Sequence, residues 1–213
     1  FYSFIPKNLC KFAYMNNGLT GTVKWCDNVI IADGDYIDKV AFDLIVNFER
    51  MIERRIPQAD MARWIDCVAL DGGLREGDNI TQVILIHDRK NGRLENFKPS
   101  IYAEELDGKA FRDNLGEFVI SALSPEDMAT KEDFFTETVE IVCNHKDVKR
   151  VMIVPDAERM YDDVRHALRR VDEDKRVTVF AMQPMQGGNF RQEILGYSLM
   201  NALGIRAEEL DKK

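Results

Sequence analysis

A three-layer, Rossmann-like α/β sandwich with a mainly parallel central sheet is the fold that the sequence predicts. Short apolar runs recur along the chain: VIIAD at 29–33, TQVILIH at 81–87, EFVISAL at 117–123, RVMIV at 150–154 and RVTVFA at 176–181. Most are separated by stretches whose apolar positions repeat with helical spacing. The runs are nearly continuous rather than alternating, as in parallel strands covered by helices on both faces.

The elements follow in order. After a first strand at about 27–33, helical spacing begins at Asp38, with Val40, Leu44, Ile45, Phe48, Met51 and Ile52 on one face and Pro57 as the stop. A second helix, about 59–70, carries Met61, Trp64, Ile65 and Val68, and Gly72-Gly73 breaks it. The strand at 81–87 is followed by Asn91-Gly92, which suits a tight hairpin turn. Residues 98–115 read as short helical pieces and turns before the third apolar run. Ser124-Pro125-Glu126-Asp127 resembles a helix start. Thr130 with Asp133 offers a second one, a capping box opening a helix through about Asn144 with Phe134, Thr138, Ile141 and Val142 inward. The fourth strand, RVMIV, leads into a helix with Met160, Val164, Ala167, Leu168 and Val171 on one stripe. The fifth, RVTVFA, precedes a final amphipathic helix capped by Asn189 and ending at Gly204.

At 213 residues the chain suits one sizeable domain, expected over 21–213, behind an irregular arm at 1–20. The segment FYSFIPKNLCKFAY has neither helical period nor caps. Met15 is a candidate start, so residues 1–14 are either upstream of the native protein or an arm packing its aromatics on the domain. Hydrophobic residues at 45% and charged residues at 31% give the balance of a soluble globular protein. With 37 acidic against 29 basic residues, the formal charge of −8 repels polyanions, so nucleic-acid binding would require a local basic patch. Cys10, Cys26, Cys67 and Cys143 contain no C-x-x-C pair and suit reduced thiols, with C-N-H at 143–145 as a faint metal hint. The sequence has neither a membrane-spanning run nor a signal peptide, which points to the cytoplasm.

Open parallel sheets bind ligands outside the carboxyl ends of their strands. Here those ends carry Asp33 and Asp35, Asp88, Ser121 to Ser124, Asp156 and Glu158, and Gln183. Gathered carboxylates repel one another, and a hard cation such as Mg²⁺ or Mn²⁺ relieves the repulsion while keeping positions open for a phosphate group. The alternative is that each Asp merely caps a helix or turn, bonding free backbone N–H groups.

The stretch VIIADGDYI, followed by RVMIVPDAERMYDDV and RVTVFA, resembles the NYN branch of the PIN-like nuclease superfamily. In that branch an I-D-G-x-N strand end opens the domain, and an S-G-D-x-D-F motif ends a later strand. Asp33 matches the first acid, Asp156 the acid after the Gly, and Glu158 the second Asp. Glu137 falls where the family keeps its middle acid, with Asp133 one turn earlier. Asp35 and Tyr36 depart from the usual Asn position, Val154-Pro155 from Ser-Gly, and Arg159 from the following aromatic. The resemblance implies a PIN-like fold and a metal-dependent ribonuclease or an inactive descendant. In an active protein Asp33, Glu137 and Asp156 would be catalytic and would hold Mg²⁺ or Mn²⁺ with Asp35 and Glu158. A metal-bound water would then attack single-stranded RNA. The run ADMARWIDCVALDGGL is also similar to an uncharacterised bacterial family, which implies no function.

Haloacid-dehalogenase-like phosphatases offer a second resemblance, through Asp33-Gly34-Asp35, Ser124, Lys131 or Lys149, and Asp156 with Asp162 or Asp163. It implies Asp33 as covalent nucleophile and Asp35 as general acid/base, although Tyr36-Ile37 replace the usual Gly-Thr. Elsewhere His87 beside Asp88 is the one histidine at a strand end. Gly187-Gly188 has no Walker lysine and reads as a flexible loop, and Arg165, Arg169 and Arg170 read as a solvated face. A third expectation, drawn from the acidic charge and the altered motifs, is a non-catalytic interaction module whose partner is another protein or a second copy.

Overall fold

The computed structural model describes residues 5–6, 25–126 and 128–210. The arm expected at 1–20 lies outside them, save that β1 (Ile5–Pro6) pairs antiparallel with a strand of the domain.

Strand β2 (Asn28–Asp33) is buried at all six positions. It runs without a loop into α1 (Gly34–Ile52). The helix therefore starts at the first glycine after the strand rather than at Asp38, because the Asp33 side chain caps it and Tyr36, Ile37, Val40 and Ala41 already face the core. A two-residue strand β3 (Ala59–Asp60) precedes α2 (Met61–Asp71), capped by the Asp60 side chain. Strand β4 (Asn79–Ile86) follows.

Asn91-Gly92 makes no hairpin: the next strand, β5 (Phe97–Lys98), pairs in parallel with β3 instead. After a π-helical turn, Tyr102–Leu106, the strands β6 (Lys109–Asp113) and β7 (Gly116–Leu123) form the antiparallel hairpin of the domain. Thus 98–115 contains a strand that the sequence reading did not resolve. Ser124-Pro125-Glu126 starts no helix. The second capping box does, opening α3 (Lys131–Asn144) with the Asp133 N–H donating to Thr130 Oγ1 at 3.1 Å.

Strand β8 (Arg150–Val154), α4 (Ala157–Ala167), a 3₁₀ turn (Leu168–Arg170) and β9 (Arg176–Ala181) fall where the apolar pattern places them. The helix expected from Asn189 is instead β10 (Arg191–Ile194) followed by α5 (Leu195–Ala202), and a short α6 (Ala207–Leu210) comes last. Pairing with β9 supplies 191–194 with backbone hydrogen bonds that outweigh its helical spacing.

The main sheet runs β1-β6-β7-β4-β2-β8-β9-β10, and every pairing from β7 to β10 is parallel. The fold is thus a mixed α/β sandwich with a mostly parallel sheet. Alternation along β2 sends Ile30 and Ala32 into one core with α1, α2 and α5, and Val29 and Ile31 into the other with α3 and α4. Trp64, Phe97, Phe111, Phe118, Phe135 and Phe180 are fully buried, each contributing about 1.5–3 kcal/mol by removal from water. With β2 in the middle, Asp33 emerges at the centre of the carboxyl edge.

Candidate functional site: an acid pair closed by a lysine

Asp33 ends a strand covered on both faces, and its side chain is fully buried. Its Oδ1 accepts the Tyr36 N–H at 3.1 Å, so it caps α1, the expected structural role of a strand-end Asp. The same oxygen accepts the Lys131 ammonium at 2.7 Å. Its Oδ2 is buried with no hydrogen-bond partner among the described residues. Asp35, in the first turn of α1, accepts Lys131 at 2.9 Å and the Asp88 N–H at 2.7 Å on Oδ2, and Asn91 Nδ2 at 2.8 Å on Oδ1. Two carboxylates that would repel each other are thereby joined through one internal cation. The loop after β4 is tied to the same centre.

The position of that cation follows from helix phase. The buried face of α3 carries Phe135, Thr138, Val139 and Val142, and Lys131 lies one turn before Phe135 on the same face. The Thr130 cap fixes where the helix begins, and hence where Lys131 stands. Only 15% of its side chain is exposed.

The electrostatics are those of two carboxylates sharing one ammonium, with Asp33 fully buried and Asp35 and Lys131 largely so. Burial pushes the Asp33 carboxyl above its ordinary value despite Lys131. Burial acts the same way on Asp35, but there the hydrogen bonds from Asn91, the Asp88 N–H and Lys131 prevail and hold it below the usual range. Burial opposes the charge on Lys131, and its two carboxylates overcome that opposition, so the ammonium holds its proton more tightly than usual.

Gly34, between the two acids, answers to a third side chain. A Cβ there would collide with the Tyr102 hydroxyl and stand 3.1 Å from its Cζ. Tyr102 comes from the π-helical turn and stacks on His87, with ring centroids 3.9 Å apart and planes at 5°. Its hydroxyl is buried without a hydrogen-bond partner among the described residues, and burial, followed by the field of Asp35, Asp38 and Asp33, raises its pKa. Sequence reading missed Tyr102, since it falls in a segment without period. Lys131 did carry a signal, a cation at an inward helical position.

The remaining expected residues are arranged differently. Asp156 caps α4 by accepting the Glu158 N–H at 3.2 Å, and its Oδ2 is 3.6 Å from Arg159 Nε. Glu158 is exposed and pairs with Lys39 at 3.5 Å. Glu137 is exposed on α3, about 200° around the helix from Phe135 and so turned away from the sheet. The convergence expected for Asp33, Glu137 and Asp156 is therefore absent. Among the described residues no group of three or more His, Cys, Asp or Glu side chains is placed to hold a metal ion. The Tyr36 phenol, pushed up to about 12 by burial and then by Asp156, Glu158 and Asp33, lies in the field of both strand ends.

The residues of the phosphatase resemblance also separate. Lys149 pairs with Asp27 at 2.6 Å beside the start of β8, at the amino edge, whereas Lys131 touches both acids. Ser124 is exposed beyond β7, and Asp162 pairs with Arg165 at 2.9 Å. Cys26, Cys67 and Cys143 form no disulfide with one another, and Cys10 lies outside the described residues. Among the described residues no helix is long and apolar enough to cross a membrane.

A mostly parallel α/β domain with a lysine-closed acid pair at its central strand end is the class that fold and site define. The chain belongs to a family of unknown function, DUF6621, whose profile matches residues 22–210. No curated protein and no solved structure matches it.

Proposed function

We propose that this domain is a non-catalytic interaction module of PIN/NYN-like descent in which Lys131 stands where a metal ion would otherwise neutralise the strand-end acids. One observation carries this reading: the Lys131 ammonium lies 2.7 Å from Asp33 and 2.9 Å from Asp35. A divalent ion at this place would have to displace a largely buried ammonium that is already hydrogen-bonded to both carboxylates. The solvent-facing Glu137 and the Arg159 beside Asp156 support the same reading. In this role the fold serves as a rigid frame, and its partner is a protein or a second copy of the chain.

The test is hydrolysis of labelled single-stranded RNA by the full chain with Mg²⁺ or Mn²⁺, beside Asp33→Asn. The expected result is no cleavage that depends on Asp33. Metal-dependent cleavage lost in Asp33→Asn would replace this reading with that of a ribonuclease.

A phosphohydrolase is the second reading, favoured because a lysine at a helix start touches both acids of a D-x-D strand end. The buried Asp33 side chain weighs against it, since a nucleophile must reach phosphorus. Turnover of p-nitrophenyl phosphate that is abolished in Asp33→Asn would establish it.

A further inference from the structure

At the amino edge of the sheet, opposite the acid pair, the chain gathers cations that the acidic site does not explain. Arg150 begins β8 and Arg176 begins β9, and the two are direct partners in the parallel register. Like charges placed side by side on a sheet repel. Arg176 is exposed, and among the described residues no carboxylate forms an ion pair with either guanidinium. Arg150 Nη1 donates to Asn28 Oδ1 at 3.2 Å, and its Nε is buried with no hydrogen-bond partner.

Both arginines line a cavity of about 550 Å³, in the size range of small-molecule sites. Arg191 also lines it but is held by Glu193 at 2.8 Å through Nε, and Lys175 donates to the His145 carbonyl at 2.5 Å. Asp172 and Glu173 lie at the same cavity and form no ion pair with the arginines. Phe190 and Leu168 supply an apolar side. A second recess of about 310 Å³, carrying Arg165 and Arg169, shares Asn189 with the first. Burial, followed by the charges of Arg176 and Arg75, makes Arg150 a weaker base than usual, as expected of a cation short of counter-charge.

We propose that this cavity binds a small phosphate-bearing anion, with the oxyanion on Arg150 and Arg176 and any apolar body of the ligand against Phe190. Two guanidiniums offer parallel N–H donors that match phosphate geometry, and their mutual repulsion is relieved when the anion binds. Nothing in this site depends on how the acid pair is read.

The experiment is calorimetric titration of the full chain with inorganic phosphate and with adenosine 5′-monophosphate at constant ionic strength, in chloride. Parent, Arg176→Gln and Arg112→Gln proteins are compared, Arg112 being on β6 and paired with Asp78. Saturable binding that weakens about tenfold in Arg176→Gln and is unchanged in Arg112→Gln is the expected result, equivalent to about 1.4 kcal/mol. Tighter binding of the nucleotide than of phosphate, lost in Phe190→Ala, would assign the ligand's body to the apolar side; equal affinities would assign the site to the oxyanion alone. Absence of saturable binding by either probe, or equal weakening in Arg112→Gln, overturns the proposal. The thermal midpoint without ligand gives a second check. Arg176→Gln should match or exceed the parent, and a clear fall would mean that Arg176 already has a structural partner.

Discussion

Lys131 occupies an inward position of its helix and sets its ammonium 2.7 Å from the carboxylate of Asp33, whose side chain has no exposed surface. The cation that a gathered pair of strand-end acids requires is thus supplied by the chain itself. Acid and lysine come from elements nearly a hundred residues apart, and the contact clamps α3 to the middle of the sheet.

Removing that cation should be costly. Lys131→Met leaves Asp33 buried beside Asp35 with no counter-charge, and breaking a buried pair in this way costs about 3–5 kcal/mol. Urea unfolding at neutral pH should show a loss of that order. Repeating it in Asp33→Asn/Lys131→Met should recover part of the loss, because the uncompensated charge is then gone.

Gly34 and Tyr102 should be coupled. Gly34→Ala puts a methyl into the Tyr102 hydroxyl and should destabilise by about 1–3 kcal/mol, whereas in Tyr102→Phe the clashing atom is absent. Tyr102→Phe alone should be neutral or stabilising, since it deletes a buried hydroxyl with no partner among the described residues. A double-mutant cycle read by thermal unfolding measures the coupling, and additive effects would show that the two do not meet.

Glu137 should be dispensable. Its side chain faces solvent, so Glu137→Gln should change stability by no more than about 0.5 kcal/mol, measured by the same unfolding assay. A large loss would mean that Glu137 has an inward role after all.

Alkaline pH should unfold the domain through its buried thiol. Burial pushes Cys143 up from 9.0 to about 12, so between these values the native state keeps a proton that the unfolded chain has released. More protons on the native state means that stability falls as pH rises, by up to about 1.4 kcal/mol per pH unit for one such group. Unfolding midpoints measured across this window should fall less steeply in Cys143→Ala than in the parent.

Much of the sheet could be read from the sequence because its strands are covered on both faces: VIIAD, RVMIV and RVTVFA are apolar runs with little else to become. The carboxyl-edge acids were legible for the same reason, since a buried strand must end where Asp33 stands. The start of α1 was misread because glycine ordinarily breaks helices, whereas Gly34 is selected by the approach of Tyr102. Strand β10 was misread because its side chains are only half-buried, and its pairing partner lies across a loop. Strand β7 was legible as EFVISAL, whereas β6 and the Tyr102 turn carry no long period, and their positions follow from tertiary contacts. The middle acid was misplaced because counting along a helix gives distance but not phase. Phase turns Glu137 outward and Lys131 inward.

The most direct measurement is a thermal-shift titration with Mn²⁺ on the parent and on Lys131→Ala. If the lysine fills the cation's place, Mn²⁺ leaves the parent midpoint unchanged and raises that of Lys131→Ala, by about 2.7 kcal/mol in stability at a hundredfold excess over Kd. Stabilisation of the parent by Mn²⁺, lost in Asp33→Asn, would contradict this and make the acid pair a metal site.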